Sequence, residues 1–210
     1  MKSFPVAICA PSGTGKTTVA RALQRKDQRL LFSVSTTTRR PRRRERDGVD
    51  YRFVSRADFQ DMISVGALLE WAEVHGELYG TPRANLEQAE SEGRILLLDI
   101  DVEGARQVKR ARSDTVMIFL LPPSLDDLVG RLRRRGSEDE DRVRRRLQTA
   151  KGELEALDAF EYVVVNENLR ETVDRIGAIL TAEGHRRERI DAETRELCGH
   201  LRQGLQQQLS

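Results

Sequence analysis

The sequence has few cysteines and no long apolar run, and these shortages exclude several classes of protein. Its 210 residues include two cysteines, Cys9 and Cys198, and neither belongs to a Cys/His spacing typical of a metal site. We therefore expect two free thiols in a reducing compartment. The apolar runs are far shorter than the roughly 18 residues that a membrane span requires. The first run ends at Pro11, too early for a signal peptide. These features predict a soluble cytoplasmic protein without a membrane partner.

Aromatic residues are also scarce, and charge of one sign is not in excess. Phe, Trp and Tyr make up 5% of the chain, which leaves few rings to stack on nucleic-acid bases. The 36 Lys and Arg residues against 34 Asp and Glu residues give a net charge of +2, so no global basic field attracts nucleic acid. We expect no nucleic-acid partner. The basic residues are grouped in local clusters, and the functional question is what each cluster binds.

Four continuous apolar runs, separated by helical patterns, predict the fold. They are Val6–Ala10, Ile95–Leu98, Val116–Leu121 and Tyr162–Val165. Runs without polar alternation are typical of strands that are buried on both faces of a parallel sheet. Helices between such strands cover the two faces of the sheet. The sequence therefore predicts an α/β fold with a parallel sheet flanked by helices.

Capping residues mark the ends of the predicted helices. One helix runs from Lys16 to Lys26, and a capping box at Ser55–Asp58 begins another. Thr81 is expected as an N-cap with Pro82 as the first helical residue, and Gly93 is expected to end that helix. Further helices are predicted after Ser124 with a stop at Gly136, after Ser137, and from Glu167 to Leu180.

A glycine-rich segment lies between the first run and the first helix. Its residues are Ala10, Pro11, Ser12, Gly13, Thr14, Gly15, Lys16 and Thr17. They match the Walker A pattern G-x-x-x-x-G-K-[ST] except that alanine stands at the first position. Glycines let backbone N–H groups turn toward phosphate oxygens, and the helix N-terminus adds partial positive charge. The segment predicts an ATP site in which Lys16 contacts the β- and γ-phosphates and Thr17 binds Mg²⁺.

The second apolar run ends in two acids, Asp99 and Asp101. The carboxyl ends of central strands are where parallel sheets bind ligands, so Asp101 is a candidate to hold a Mg²⁺-bound water. A strand that ends in acids also commonly caps the next helix. The sequence leaves both interpretations open.

The densest basic stretch runs from Thr37 to Arg46. Three interpretations compete: a solvated run of charge, a nucleic-acid patch, and a site for a substrate phosphate. The nucleic-acid patch lacks aromatic residues for base stacking. Pro41 stiffens the stretch, Tyr51 flanks it, and arginine suits bidentate contacts with phosphate. A protein with an ATP site and a second phosphate site is a kinase for a phosphorylated acceptor.

The same stretch resembles the signature of the guanylate kinase family. The matching residues are Thr37, Thr38, Arg39, Arg42, Glu45, Gly48, Tyr51, Phe53 and Val54. Further matches follow in chain order at Ser33–Ser35, Glu70–Ala72, Tyr79–Thr81, Asp99–Asp101, Pro122–Ser124, Arg131–Leu132, Arg135–Gly136, Arg146–Leu147 and Val165–Asn166. Arg43 and Arg44 depart from the small residue and glycine usual in the family. The resemblance covers residues 4 to 182, most of the chain.

The resemblance implies a P-loop NTPase-type sheet with an inserted GMP-binding subdomain and a helical lid. The guanylate kinase-like domain would span residues 1–184, with its core at 1–34, 82–123 and 159–184. The GMP-binding insertion would be 35–81 and the lid 124–158. Residues 185–210 would form a C-terminal helical tail. The tail's leucines lie at near-helical spacing, which suggests packing on the body or a homo-oligomer.

The family's functional roles are carried over position by position. The resemblance implies ATP contacts by the glycine loop, Arg131 and Asn166, although a structural cap at Asn166 is an equal alternative. It implies that Arg39, Arg42, Tyr51 and Tyr79 bind the GMP phosphate, and that Glu45 is a further residue of the substrate site. It implies guanine contacts for Ser35, Glu70, Thr81 and Asp99. Lys16, Arg42, Arg135 and Arg146 would neutralise charge on the transferred phosphoryl group. The implied reaction is Mg²⁺-dependent transfer from ATP to GMP or dGMP.

Elementary chemistry supports a carboxylate at Glu70. Guanine presents N1–H and an exocyclic amine side by side, and one carboxylate accepts from both, whereas adenine has a lone pair at N1. Such a site discriminates guanine from adenine by roughly 10⁴-fold.

Two rival functions remain: a related binding module that has lost catalysis, and a kinase for another acceptor such as a sugar phosphate. The intact Lys16, Thr17 and lid arginines argue against the first. The guanine-side set of Ser35, Glu70 and Thr81 argues against the second.

Overall fold

The computed structural model describes residues 2–43, 45–74, 76–134 and 140–209. Its strands are β1 (Pro5–Cys9), β2 (Leu30–Phe32), β3 (Thr36–Thr37), β4 (Arg52–Phe53), β5 (Leu68–Val74), β6 (Glu77–Pro82), β7 (Ile95–Asp99), β8 (Val116–Leu121) and β9 (Tyr162–Val165). Its helices are α1 (Lys16–Lys26), α2 (Arg56–Ser64), α3 (Arg83–Ser91), α4 (Val102–Ala111), α5 (Leu125–Arg134), α6 (Glu140–Glu155), α7 (Leu169–Gly184) and α8 (Ala192–Leu209). Single turns of 3₁₀ helix lie at Leu157–Ala159 and Arg187–Arg189.

A five-stranded sheet in the order β2-β7-β1-β8-β9 forms the centre of the described chain, and all its pairs are parallel. The predicted α/β fold is confirmed, and the four predicted apolar runs are four of these strands. The fifth, β2, lies at the edge of the sheet. Because β1 is central, the loop that follows it opens at the carboxyl edge of the sheet, where ligands bind in folds of this type.

The core lies on both faces of this sheet, which explains the continuous apolar runs. Val6 and Ile8 of β1 pack in one cluster with residues of α1 and α7. Ala7 and Cys9 point to the opposite face and pack in a second cluster with residues of α3 and α4. Successive side chains of a strand alternate between faces, so every position of a strand covered on both sides must be apolar.

A second sheet in the order β4-β3-β6-β5 carries much of the predicted acceptor site. Phe59 of α2 packs against Leu68 and Leu78 beneath this sheet in a small core of its own. Gln107 of α4 connects the sheet to the main body, because its amide donates to the Trp71 carbonyl (2.9 Å) and accepts from the Trp71 N–H (3.2 Å). The division into core, insertion and lid stays a prediction.

The predicted helix ends are mostly confirmed. The capping box at Ser55 and Asp58 is present, and Ser124 accepts from the Asp127 N–H at 3.0 Å. The predicted N-cap at Thr81 is wrong, because β6 extends through Pro82 and α3 begins at Arg83. The Thr81 hydroxyl donates to Glu70 instead, so it is not available to cap a helix. The predicted stop at Gly136 and cap at Ser137 lie outside the described residues.

The last helix, α8, buries none of its residues. Its exposed leucines are Leu197, Leu201, Leu205 and Leu209. Packing of the tail on the body is therefore not seen for this helix, and a homo-oligomer through the tail stays a prediction. Across the described ranges, no helix combines the length and apolar character needed to cross a bilayer.

Candidate active site

The glycine loop connects β1 to α1 and has the backbone that its sequence predicts. Gly13 and Gly15 adopt φ of +95° and +96°, which side chains strongly disfavour. The Thr14 N–H donates to the Pro11 carbonyl at 3.1 Å and closes a tight turn. The loop thereby turns back on itself before α1 begins at Lys16, which is the geometry that exposes backbone N–H groups to an anion.

Lys16 points across the loop to the end of β7. Its Nζ lies 3.2 Å from Asp99 Oδ1 and donates to the Ile100 carbonyl. Burial alone would lower the pKa of Lys16, but Asp99, Cys9 and Asp101 together outweigh burial and raise it. Lys16 is therefore a fixed positive charge at the carboxyl edge of the sheet.

Two side chains brace the loop from behind through the Thr14 carbonyl. Asn166 donates to that oxygen at 2.7 Å, and Arg131 Nη1 donates at 2.9 Å. The Asn166 amide oxygen in turn accepts from the Thr172 hydroxyl at 3.1 Å, so both ends of the amide are held. Asn166 therefore makes a structural contact with the loop, and its predicted contact with ATP stays a prediction. Arg131 reaches the loop as well, from α5.

The acids after β7 have distinct surroundings. Asp101 is the N-cap of α4 and accepts from the Gly104 N–H at 2.7 Å, so the helix-capping interpretation holds in this structure.

The Cys9 thiol is buried nearby and donates to the Asp101 carbonyl at 3.3 Å. Burial raises the pKa of Cys9 to about 12, which keeps this thiol unreactive. Cys9 and Cys198 are both free, as predicted.

The basic stretch is ordered around Glu45. Arg39 Nη2 donates to Glu45 Oε1 at 2.9 Å, and the Arg42 backbone N–H donates to Glu45 Oε2 at 2.7 Å. Arg39 Nε also donates to the Tyr79 hydroxyl at 3.1 Å, and its guanidinium lies 5.4 Å from the Tyr51 ring centroid. The hydrogen bond that Arg39 donates to Glu45 raises the pKa of Arg39. Glu45 therefore orients Arg39, while the Arg42 side chain stays exposed.

Glu70 of β5 is buried beside Thr81 of β6. The Thr81 hydroxyl donates to Glu70 Oε1 at 2.6 Å, and the Glu70 residue is 6% exposed. Burial raises the pKa of Glu70 to about 7. The family resemblance named Glu70 and Thr81 in one set of guanine contacts, and the antiparallel pairing of β5 with β6 places them opposite each other.

One cavity of about 590 Å³ joins the glycine loop to the second sheet. The predicted site residues that line it are Ala10, Pro11, Ser12, Gly13, Gly15, Lys16, Thr17, Ser35, Tyr51, Glu70, Tyr79, Asp99 and Asp101. Thr14, Arg39 and Thr81 lie behind this lining and bond to residues of it. Arg131 and Asn166 bond to Thr14, and Glu45 bonds to Arg39. The loop and the acceptor residues therefore face one shared space.

The lid arginines are described only in part. Arg146 of α6 is half-buried, whereas its neighbours Arg144 and Arg145 are exposed. That difference in burial separates Arg146 from the solvated face of the helix. Arg135 lies outside the described residues.

Sequence reasoning missed two residues of α6 that reach the cavity, Thr149 and Glu153. Glu153 Oε2 accepts from the Ser12 N–H at 3.2 Å, and burial raises the pKa of Glu153. No spacing signal separates Glu153 from the other acids of this charged helix. Its carboxylate meets one of the loop N–H groups that would face an anion.

A glycine loop at the end of a central parallel strand, with Lys16 facing Asp99 of the neighbouring strand, places the protein in the class of P-loop nucleotide-binding proteins. The guanylate kinase family model matches residues 2–183. The chain therefore belongs to the guanylate kinase family.

Individual relatives cover most of the chain. A guanylate kinase of Myxococcus xanthus is 43% identical over 89% of this chain and 90% of its own length. A guanylate kinase of Thermotoga maritima is 45% identical over 87% of this chain and 88% of its own. The crystal structure of guanylate kinase from Anaplasma phagocytophilum aligns with a TM-score of 0.76 at 38% identity, covering 93% of both chains.

Proposed function

We propose that the protein transfers the γ-phosphoryl group of ATP to GMP or dGMP and releases ADP and GDP or dGDP. The observation that carries this proposal is the single cavity lined both by the glycine loop with Lys16 and by Glu70 with Tyr79. Transfer between two bound nucleotides requires both phosphate sites in one water-poor space. Family membership supports the same pair of substrates.

The donor side is the glycine loop. Its backbone N–H groups bind the ATP phosphates, and Lys16 turns from Asp99 toward the β- and γ-phosphates when they arrive. The carboxylate of Glu153 leaves the Ser12 N–H at the same time, because it occupies a donor that the phosphates need. Arg131 and Asn166 keep the loop in shape through the Thr14 carbonyl.

Thr17 and Asp101 fit a Mg²⁺ ion that enters with ATP. Both side chains line the cavity and offer hard oxygen donors, which Mg²⁺ prefers. Bound there, Mg²⁺ would supply positive charge that neutralises the ATP phosphates. Asp101 could hold a metal-bound water while it caps α4, because the Gly104 N–H donates to only one of its carboxylate oxygens, Oδ1.

The acceptor side is built on the second sheet. Arg39, Arg42, Tyr51 and Tyr79 bind the GMP phosphate, with Glu45 holding Arg39 in place. Glu70, Thr81, Ser35 and Asp99 surround the guanine. The acceptor oxygen is already anionic, so no side chain has to act as a nucleophile. Arg42, Arg135 and Arg146 add positive charge around the transferred group, as phosphoryl transfer requires.

The raised pKa of Glu70 predicts a pH-dependent affinity for GMP. The ionised carboxylate accepts from guanine N1–H and the amine, and burial raises its pKa to about 7. Lowering the pH from 8 to 6 protonates Glu70 and should raise the KM for GMP about tenfold, with little change in the KM for ATP. Steady-state kinetics across this range measure the effect. Glu70→Gln is the control, since its residual pH dependence belongs to the GMP phosphate.

A coupled assay of ADP formation tests the proposed function. Purified protein with ATP and Mg²⁺ is compared on GMP, AMP and ribose 5-phosphate, and omission of Mg²⁺ tests the metal. We expect GMP to be used far faster than the other two. Preference for AMP or for the sugar phosphate would overturn the proposal. GMP binding without GDP formation would instead identify a binding module that has lost catalysis.

A further inference from the structure

Helix α4 begins directly against the carboxylate of Glu70. Gly104 is the buried residue of the first turn that makes this contact. A Cβ placed on Gly104 would lie 2.7 Å from Glu70 Oε2 and 3.2 Å from Glu70 Cδ, well inside ordinary van der Waals contact. The carboxylate therefore occupies space that any side chain at position 104 would take.

The Glu70 carboxylate cannot move aside without losing a contact. Its other oxygen, Oε1, accepts from the Thr81 hydroxyl at 2.6 Å, and Thr81 is fully buried. On the far side, Asp101 Oδ1 lies 3.3 Å from the same Cβ position and holds the Gly104 N–H. Glu70 is thus confined between Thr81 on one side and the first turn of α4 on the other.

Backbone geometry does not require glycine at position 104. Gly104 has ordinary helical backbone, unlike Gly13 and Gly15, whose φ values are positive. Glycine inside a helix is less stable than alanine, so the residue carries a cost without a conformational need. The close approach of the Glu70 carboxylate explains why position 104 is glycine.

We propose that Gly104 is a positioning residue for guanine recognition, because its missing side chain leaves the space in which the Glu70 carboxylate is aimed at the acceptor base. This inference rests on the proposed function of Glu70. It assigns the discrimination between bases to a contact between β5 and α4 as well as to the carboxylate itself. A methyl group at position 104 turns or displaces the carboxylate, and its two oxygens no longer meet the two guanine donors together.

Gly104→Ala tests the proposal in the coupled assay. We expect the KM for GMP to rise about 10- to 100-fold, because moving a group that recognises the substrate by about 1 Å can have an effect of this size. The KM for ATP and the kcat at saturating GMP should change less than about threefold. The matched control is Gly177→Ala in α7, where an added Cβ meets nothing within 4 Å. This control should leave all three constants unchanged.

A shorter acid separates the proposed contact from general damage to the fold. Glu70→Asp withdraws the carboxylate by one methylene and should free the space at position 104. In the Glu70→Asp background, Gly104→Ala should change the KM for GMP by less than about twofold, so the double-mutant cycle is strongly non-additive. A Gly104→Ala protein that fails to fold while the double variant folds also supports the contact.

Other results would overturn the proposal. They are an unchanged KM for GMP in Gly104→Ala, a parallel rise in the KM for ATP, an additive cycle, or loss of folding in both the single and the double variant. Each would mean that the side chain meets something other than a recognition carboxylate. Failure of the proposed function is distinguished by the wild-type protein in the same assay, which would then not use GMP at all.

Discussion

Replacing Lys16 by alanine is expected to lower kcat by at least about 100-fold while GMP binding is retained. Lys16 lies at the start of α1 with its Nζ on the cavity side, close to Asp99. In the proposed reaction it neutralises charge that grows on the phosphates in the transition state. Among the acceptor residues Asp99 pairs with Lys16, whereas Glu70 and Thr81 bond to each other and Tyr79 bonds to Arg39, so most of the affinity for GMP should persist.

The Lys16→Ala prediction needs a control for the loss of any lysine from α1. Lys26→Ala serves this purpose, because Lys26 is in the last turn of the same helix and pairs with Asp174 at the surface. We expect wild-type kcat for Lys26→Ala. The measurements are kcat by the coupled assay and the Kd for GMP by calorimetry. A fall in kcat of less than about tenfold for Lys16→Ala, or an equal loss of GMP affinity, would contradict the assigned role.

Glu70→Gln is expected to remove most of the preference for GMP. A carboxylate accepts from both guanine donors, whereas an amide offers one acceptor and one donor, and its NH₂ group opposes a guanine donor. We expect kcat/KM for GMP to fall about 10³-fold, with little change for AMP. Glu87→Gln on the exposed side of α3 is the matched control and should leave both unchanged. Equal losses with GMP and AMP would contradict base recognition by Glu70.

The same substitution should make the protein more stable at alkaline pH. Burial raises the pKa of Glu70 from 4.5 to about 7, so its contribution to stability is present below pH 4.5 and is lost as the pH rises through 7. Glutamine carries no charge and avoids this loss, which amounts to up to about 3 kcal/mol at pH 8. Urea unfolding at pH 8 and pH 5 measures the difference. A variant equally destabilised at both pH values would show that burial of the charge is not the cause.

The central sheet could be predicted from the sequence because strands that are buried on both faces are continuous runs of apolar residues. The apolar runs at Val116–Leu121 and Tyr162–Val165 are strands with the predicted bounds. Strand β2 was not predicted, because a strand of three residues is too short to form a recognisable apolar run. β3 and β4 are shorter still, and their pairing depends on contacts between distant segments, which periodicity does not record.

The candidate site was predictable in its residue types and less so in its contacts. The glycine loop and Lys16 follow from local chemistry, and the family resemblance supplied the acceptor residues. The sequence assigned Thr81 to a helix cap and to guanine contacts, and the pairing of β5 with β6 shows that its hydroxyl donates to Glu70. Glu153 and Gly104 gave no signal, because their contacts join segments far apart in the chain.

The central claim is that one cavity holds the ATP phosphates and GMP together. A bisubstrate ligand, adenosine and guanosine joined through their 5′ positions by a polyphosphate chain, tests this claim most directly by calorimetry. We predict one molecule bound per chain, more tightly than either ATP or GMP, and displaced by ATP alone and by GMP alone. Binding of two molecules per chain, or displacement by ATP but not by GMP, would contradict a shared two-phosphate site.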